Sequence, residues 1–277
     1  MKLFLASAYI VTSVSIMSCA QKPVTVTTQS SATSVETKEP NSLDYSPAFE
    51  GQTRVKAITT TTPYKFEVMT EDLDSPWGVT SLPGGRLLIT EKEGTMRIVT
   101  ADGKVSEKIT GAPTVNSKGQ GGLLGITIAP DFAQSRMVYW TFAENVEGGT
   151  LTSAAKGKLS ADEKSIENAT VIYRAYPAHK GTLHYGGRIL FDKNGNLFVS
   201  TGERSDRVTR PQAQDLGSGL GKIIHITTDG KPVANGPFAS NSRPELYSYG
   251  HRNVQGMSFH PETGDLWSNE FGPRGGD

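Results

Sequence analysis

The sequence has one cysteine in 277 residues, no excess of charge of either sign, and few amphipathic helical patterns. A single thiol excludes an internal disulfide, so side-chain burial, with or without a bound metal, must hold the fold together. The 28 Lys and Arg residues balance the 28 Asp and Glu residues, and a chain without a basic excess is not expected to bind nucleic acid or an anionic membrane surface. The 30 glycines and 15 prolines indicate many turns, which favours an all-β protein.

The first apolar stretch is too short to anchor the chain in a membrane. Residues 1–19 combine a positive charge at Lys2, an uncharged apolar run and a small residue directly before Cys19, which is typical of an export signal. The run falls short of the ~20 apolar residues that a membrane-spanning helix needs. We interpret Cys19 as the lipidated residue of a bacterial lipoprotein signal; the alternative is a cleaved secretory peptide with an incidental cysteine. The first interpretation predicts a periplasmic or cell-surface protein, held to the outer membrane only through its lipid.

A change in composition near residue 62 predicts a disordered segment at 20–62 and a folded domain at 63–277. The first segment is rich in Thr, Ser, Gln and Glu and has few large apolar side chains. It cannot bury enough surface to offset the entropy lost on ordering, so we predict a disordered tether. Residues 63–277 carry the patterned sequence and are predicted to form one domain with an ample core.

A hairpin pattern occurs four times within this domain. In residues 184–200, a glycine pair precedes a short apolar run, an Asp-Lys-Asn-Gly turn and a second apolar run, as expected of two antiparallel strands. The same order recurs at residues 77–89, 121–140 and 256–268. The second strands contain Leu87, Val138, Leu197 and Leu266, which follow one another at steps of 51, 59 and 69 residues. Such repeats are typical of the blades of a β-propeller with enlarged loops.

Further strand patterns lie outside the hairpins. We predict an opening strand at residues 64–68, and outer strands of the first, second and third blades at 97–99, between 148 and 176, and at 222–226. Residues 244–249 are predicted to enter the fourth blade. No outer strand pattern follows the fourth hairpin. Because a propeller must close into a ring, we expect this chain to be the N-terminal part of a longer protein.

The residues directly before each hairpin are the main functional clue. Equivalent places hold Trp77, Gln120, His184 and the run His-Arg-Asn-Val-Gln at residues 251–255. If each repeat is a blade, these places lie at one level near the central channel. One Gln, one His, one Arg and one Asn, although distant in sequence, are therefore predicted to converge.

Four motifs in order resemble the soluble PQQ-dependent glucose/sorbosone dehydrogenases, and among them the bacterial aldose sugar dehydrogenase branch. They are Gly-Gln-Gly-Gly-Leu-Leu-Gly at residues 119–125, His-Tyr-Gly-Gly-Arg at 184–188, Gly-His-Arg-Asn-Val-Gln-Gly at 250–256 and Glu-Phe-Gly-Pro at 270–273. The resemblance covers residues 64–277 and implies a six-bladed β-propeller, of which this chain supplies about the first four blades. It also implies oxidation of aldoses to lactones by hydride transfer to calcium-bound PQQ, with a quinone or a cytochrome as the final electron acceptor.

The resemblance assigns the acid–base chemistry to two residues. His184 matches the family's catalytic base and one of its cofactor-binding residues, and a neutral imidazole suits the removal of a proton from a sugar hydroxyl. Glu203 matches the acidic residue that orients this base. The alternative for Glu203 is a structural role, because Glu91, Glu144 and Glu270 also close second hairpin strands.

The resemblance also assigns residues to the cofactor and to calcium. Arg252 matches the cation that stabilises negative charge on the quinone oxygen, with stacking on an aromatic ring between blades as the alternative. Asn253 matches a hydrogen-bonding partner of PQQ, and Gln120 matches a residue that contacts both cofactor and sugar. The backbone carbonyls of Gly272 and Pro273 match ligands of Ca²⁺, which prefers oxygen; the alternative is an ordinary Gly-Pro turn.

Some features depart from the family, and two other classes of function stay open. Residues 204–211 align poorly with the glucose-type branch, which leaves the sugar open, and the basic residues of the family's later blades are absent, so the chain as given is expected to bind PQQ weakly or not at all. A metal-dependent propeller lactonase would need clustered Glu, Asp and Asn ligands in the channel. A non-catalytic cell-surface propeller that binds glycans or proteins would need no paired His and Arg.

Overall fold

The computed structural model describes Ile58 and residues 61–272. The export signal at 1–19 with Cys19, most of the tether at 20–62, and Pro273 lie outside the described residues. The chain divides into two compact units after Val68. The strand predicted at residues 64–68 is wrong, since these residues are irregular and their side chains are exposed. The alternation of Tyr, Phe and Val fits a strand, but a strand also needs a neighbour to complete its backbone hydrogen bonds.

Thirteen strands in the described residues form four antiparallel sheets. The first two sheets contain β1 (Pro76–Leu82), β2 (Arg86–Glu91) and β3 (Thr95–Val99), then β4 (Leu123–Ile128), β5 (Met137–Val146), β6 (Gly149–Leu159) and β7 (Ile166–Arg174). The last two contain β8 (Gly186–Phe191), β9 (Leu197–Thr201), β10 (Lys222–Ile226) and β11 (Leu246–Tyr249), then β12 (Val254–Phe259) and β13 (Leu266–Glu270). A short helix, α1 (Phe132–Ser135), and a 3-10 helix at Arg210–Ala213 complete the elements. Across the part of the chain that the structure describes, no helix has the length and apolar content needed to cross a bilayer.

Each sheet is an antiparallel meander whose strands pair in chain order. The first strands of the four sheets, β1, β4, β8 and β12, contact one another in succession. Sheets that meet along their innermost strands in this way are the blades of a propeller. The predicted all-β propeller blades and the four predicted hairpins are therefore confirmed.

The outer edge of the third blade differs from the prediction. Residues 244–249 do not enter the fourth blade, because β11 pairs with β10, with Ser248 opposite Ile223 and Leu246 opposite Ile224. Leu246 is buried in the core between the second and third sheets. The loop between β10 and β11 brings the chain back to the same sheet, which a local apolar pattern cannot distinguish from the start of a new blade.

The hydrophobic cores lie between neighbouring sheets. Trp140 of the second sheet packs with Leu88 of the first, and Tyr139, on the opposite face of the same strand, packs with Val199 of the third. The side chains of β9 are buried along the whole strand, because sheets cover both of its faces. This burial holds the end of β9 rigidly, and the residues that follow it belong to the site described below.

A hydroxyl group on the second strand of each of the first three blades joins that blade to the next. Thr90 Oγ1 donates to the carbonyl of Leu124 at 2.6 Å and accepts from the backbone N–H of Gly78 at 2.8 Å. The same arrangement recurs at Thr141, between Gly125 and Gly187, and at Ser200, between Arg188 and Val254. A side chain at Gly125 would collide with the Gly187 carbonyl oxygen, so glycine permits the close approach. We call Thr90, Thr141 and Ser200 the interblade hydroxyls.

Replacing Thr141 with the isosteric valine is expected to lower the free energy of unfolding by about 1.5 kcal/mol, because a buried N–H and a buried carbonyl lose their partner. Urea denaturation of the full-length protein measures this. Thr170→Val is the control, since Thr170 is exposed on β7 and its replacement should cost less than about 0.5 kcal/mol. Equal stability of the two variants would show that the interblade hydroxyl at Thr141 contributes nothing.

Candidate active site

His184 lies in the loop that precedes β8. It is 6% exposed, and its backbone is left-handed, with φ of 47°. Its backbone N–H donates to Gln120 Oε1 at 2.8 Å, and the backbone N–H of Gln120 donates to the carbonyl of Thr182 at 2.8 Å. The loop before β4 is therefore hydrogen-bonded to the loop before β8, and the predicted site residues Gln120 and His184 are in direct contact.

A buried carboxylate holds the ring of His184. Glu203, 3% exposed, follows β9 and lies with Oε1 2.6 Å from His184 Nδ1. Because a carboxylate accepts, Nδ1 carries the shared proton, and Nε2 keeps a lone pair that can take another proton. Glu203 Oε2 accepts the backbone N–H of Ser205 at 2.7 Å. A side chain at Gly202 would collide with the His184 carbonyl, so this approach requires glycine.

The segment before β12 adds Arg252 and Asn253 to the same network. The backbone N–H of Glu203 donates to the carbonyl of Arg252 at 2.9 Å, and Gly202 forms an isolated antiparallel bridge with Asn253. Asn253 Oδ1 accepts the backbone N–H of Gly186 at 2.8 Å. The predicted convergence of one Gln, one His, one Arg and one Asn is therefore present in the structure.

The side chain of Arg252 points toward the end of β13. Its Nη1 donates to the carbonyl of Phe271 at 2.7 Å. Arg252 also lines a pocket together with Glu203, Arg210 and His251. Two arginines therefore line one pocket, and guanidinium groups are donors suited to an anionic ligand.

Trp77, the equivalent residue of the first blade, has a packing role. Its ring lies 5.0 Å from the guanidinium carbon of Arg188, which comes from β8. Trp77 also packs against the buried cluster of Leu124, Ala143 and Tyr185. Among the described residues near the site, the arginines stacked on aromatic rings are Arg188, on Trp77, and Arg204, on Tyr185, whereas Arg252 binds a carbonyl.

Glu270 belongs to the site and was not assigned a role by the sequence patterns. Its Oε2 accepts the backbone N–H groups of Arg252 and Asn253, both at 2.7 Å, and its Oε1 lies 3.2 Å from His251 Nδ1. Glu91 has the same place in the first blade and accepts the backbone N–H of Asp74, which precedes β1. The sequence does show that acidic residues end the second strands of the hairpins. It does not show which loop each carboxylate binds, and the role of each carboxylate depends on that loop.

The comparison with protein families agrees with this geometry. The family described as Glucose / Sorbosone dehydrogenase matches residues 73–277. The chain belongs to this family. Aldose sugar dehydrogenase YliI of Escherichia coli is 40% identical over 215 residues, 76% of this chain and 57% of that protein. The uncharacterized protein slr1608 of Synechocystis is 36% identical over 75% of this chain and 54% of its own length. The chain thus spans little more than half of each relative.

Solved structures of this glucose/sorbosone dehydrogenase family have the same fold. The apo form of the soluble aldose sugar dehydrogenase of Escherichia coli superposes with a TM-score of 0.71 at 39% identity, covering 75% of this chain and 60% of that one. The PQQ-bound aldose sugar dehydrogenase of Streptomyces coelicolor gives a TM-score of 0.65 at 34% identity, covering 74% and 59%. The resemblance to the bacterial aldose sugar dehydrogenase branch is confirmed.

The residues present fit the family's cofactor in part. PQQ is a tricarboxylate, and the Arg210 and Arg252 side chains at one pocket are donors of the kind that bind carboxylates. Gly272 directly follows the carbonyl that Arg252 binds, while Pro273, the other predicted calcium ligand, lies outside the described residues. Residues 61–272 hold no group of three or more His, Cys, Asp or Glu side chains arranged around one point.

Proposed function

We propose that the protein is a PQQ-dependent aldose sugar dehydrogenase that oxidises aldoses to lactones. The observation that carries this proposal is the buried pair of His184 and Glu203, 2.6 Å apart, joined through the Glu203 backbone to Arg252. A base, its orienting acid and the backbone of the cationic residue, which come from two blades, share one hydrogen-bond network. The match to family members, one of them solved with PQQ bound, supports it.

His184 acts as the general base in this proposal. Its Nε2 takes the proton from the hydroxyl on the sugar carbon that is oxidised, while Glu203 keeps Nδ1–H in place and stabilises the positive imidazolium that results. PQQ, when bound, supplies a quinone that accepts the two electrons as a hydride. Arg252, Asn253 and Gln120 would hold this cofactor.

Calcium and the cellular context complete the proposal. The carbonyls of Gly272 and Pro273 would hold Ca²⁺, a hard cation that takes oxygen ligands.

Cys19 would carry the lipid that keeps the protein at the outer membrane, facing the periplasm or the cell surface. The electrons would then pass from the reduced cofactor to a quinone or a cytochrome.

Dye reduction by the full-length protein tests the proposal. We expect reduction of an artificial electron acceptor when PQQ, Ca²⁺ and an aldose are all present, and formation of the lactone. Omission of PQQ, or removal of Ca²⁺ with a chelator, should abolish the reaction. Hydrolysis of a lactone without dye reduction would indicate a metal-dependent lactonase, and binding of glycans without either reaction would indicate a non-catalytic propeller.

Replacing Glu203 with glutamine is expected to lower kcat about 100-fold, because a neutral amide can present either an oxygen or an N–H to Nδ1 and no longer stabilises the imidazolium. Initial rates of dye reduction at saturating PQQ measure this. Glu167→Gln is the control, since Glu167 is exposed on β7. A kcat within about twofold of wild type for Glu203→Gln would leave Glu203 with a structural role only.

A further inference from the structure

Arg204 directly follows Glu203 and is one of the most deeply buried side chains of the described residues, 1% exposed. Its guanidinium reaches from the end of β9 into the second blade. There Nη1 donates to the carbonyl of Thr150 at 2.6 Å, and Nη2 donates to Thr150 Oγ1 at 2.9 Å. A flexible, charged side chain is thus held by fixed partners on a neighbouring sheet.

The remaining contacts of Arg204 lie on both sides of His184. Nε donates to the carbonyl of Leu183 at 3.0 Å, and Nη2 donates to the carbonyl of Gly181. The ring of Tyr185 lies 3.9 Å from the guanidinium carbon, a cation–π distance. The residue before His184 and the residue after it are therefore both bound by one guanidinium group.

The burial of this charge is costly, and within residues 61–272 its guanidinium forms no direct ion pair, although the neighbouring carboxylate of Glu203 favours the charged form. Its hydrogen-bond acceptors are carbonyls and a hydroxyl, all neutral, and burial lowers the pKa of Arg204. A buried cation without a counter-ion in contact costs free energy that its hydrogen bonds must offset. An apolar side chain such as Met would fill the same space but leave the carbonyls of Thr150, Gly181 and Leu183 without this donor, so packing alone does not account for Arg204.

The backbone on either side of the site is strained and needs contacts that hold it in place. His184, Arg204 and Ser205 are non-glycine residues with φ of 47°, 71° and 59°, in the left-handed region that costs free energy for residues with a side chain. Strained conformations of this kind persist only where surrounding contacts impose them. Glu203 contacts both strained segments through His184 and Ser205, and Arg204 joins them a second time, since it belongs to one segment and binds residues 183 and 185 on either side of His184.

We propose that Arg204 is a positioning residue for His184. It clamps residues 181–185 so that the His184 imidazole meets Glu203 at hydrogen-bond distance with Nε2 left for the substrate. The inference rests on the proposed function for its kinetic consequence, whereas the geometric consequence can be measured without any reaction.

Three variants of the full-length protein test this proposal: Arg204→Met, Arg204→Lys and, as a matched control, Arg188→Met. Arg188 is half-buried, bound to a carbonyl at 2.9 Å and, like Arg204, placed over an aromatic ring, but its hydrogen bonds in the described structure go to Ser200 and Gln255 and not to residues 181–185. The first readout is the downfield proton resonance of His184 Nδ1–H in the PQQ-free protein, assigned by its loss in His184→Gln. The second is kcat and KM for dye reduction.

We expect Arg204→Met to lose or broaden the Nδ1–H resonance and to lower kcat about 10- to 100-fold, with a smaller change in KM, since a misplaced base slows the chemical step. Arg204→Lys keeps the charge but has fewer donors than the guanidinium and no planar group to stack on Tyr185, so it should recover only part of the resonance and of kcat. Arg188→Met should keep the wild-type resonance.

The outcomes separate this proposal from the proposed function. An unchanged resonance and unchanged kcat in Arg204→Met overturn the positioning role. If Arg204→Met does not fold, Arg204→Lys is the deciding variant. A wild-type kcat together with a wild-type resonance in Arg204→Lys would then overturn the positioning role of Arg204. If the wild-type protein reduces no dye, the proposed function fails, but the resonance of the variants still decides whether Arg204 places the His184 ring.

Discussion

Replacing His184 with alanine is expected to lower kcat for aldose oxidation about 1,000-fold, while the protein still folds and still binds PQQ. General bases contribute roughly 10²- to 10⁴-fold to a rate, and among the predicted site residues His184 holds the ring nitrogen that can take the sugar proton. Its backbone N–H is bound by Gln120, and an alanine keeps this bond. The variant should therefore lose the base without losing the loop.

The measurement compares kcat with PQQ binding, the latter followed by the absorbance of the cofactor. His260→Ala is the matched control, because His260 lies in the turn between β12 and β13, at the other end of the hairpin from Asn253. That variant should retain wild-type kcat. Wild-type turnover in His184→Ala would eliminate His184 as the base, and loss of PQQ binding alone would make it a cofactor ligand instead.

Replacing Lys222 with methionine is expected to lower the free energy of unfolding by about 3 kcal/mol at pH 7. Lys222 is fully buried, and its ammonium donates to the carbonyls of Gln212, Ala213 and Leu220 at 2.8, 2.9 and 2.6 Å. Methionine would leave three carbonyls without this donor, an effect only partly offset by removal of the buried charge. The Ala213 carbonyl also accepts the backbone N–H of Gly250, so the loss should loosen one wall of the pocket.

The effect of Lys222 should depend on pH in a defined direction. Burial lowers the pKa of Lys222 from its ordinary 10.5 to about 8, so between these values the folded protein has released a proton that the unfolded chain still binds. Stability rises with pH wherever the unfolded state binds more protons. The wild type should therefore gain stability relative to Lys222→Met between pH 8 and 10.5, by up to roughly 3 kcal/mol.

Urea denaturation at pH 7 and pH 10 measures the loss of stability and its dependence on pH. Subtracting the free energy of unfolding of the variant from that of the wild type cancels the titration of the other groups. Lys158→Met is the control, since Lys158 is exposed on β6; it should change stability by less than about 0.5 kcal/mol at either pH. If the difference in the free energy of unfolding between wild type and Lys222→Met became smaller as the pH rises, this would contradict a lowered pKa for Lys222.

The hairpins could be predicted from the sequence because their signals are local. The apolar runs and the glycine and Asp/Asn turns of residues 184–200 encode both strands and the turn between them. The strand predicted at residues 64–68 is wrong for the complementary reason, since its pattern is correct but pairing depends on a neighbour that the pattern does not specify. The assignment of residues 244–249 to the fourth blade is wrong because partner choice across a long loop is not local.

Part of the site could also be predicted from the sequence. Gln120, His184 and the pair of Arg252 and Asn253 precede hairpins, so blade symmetry alone brings them to one level. Arg204 could not be predicted, because nothing in its neighbourhood along the chain shows that it is buried against Thr150 of another blade.

By itself, the amino-acid sequence determined the repeated hairpins, the order of the blades and the set of side chains placed before each blade, because strand periodicity and turn chemistry act over a few neighbouring residues. Only the tertiary structure decided that Glu203 meets the ring of His184, that Glu270 holds the backbone of Arg252 and Asn253, and that Arg204 binds both sides of His184. Those contacts join loops of different blades, and hydrogen bonds between distant segments exist only after the blades have packed together.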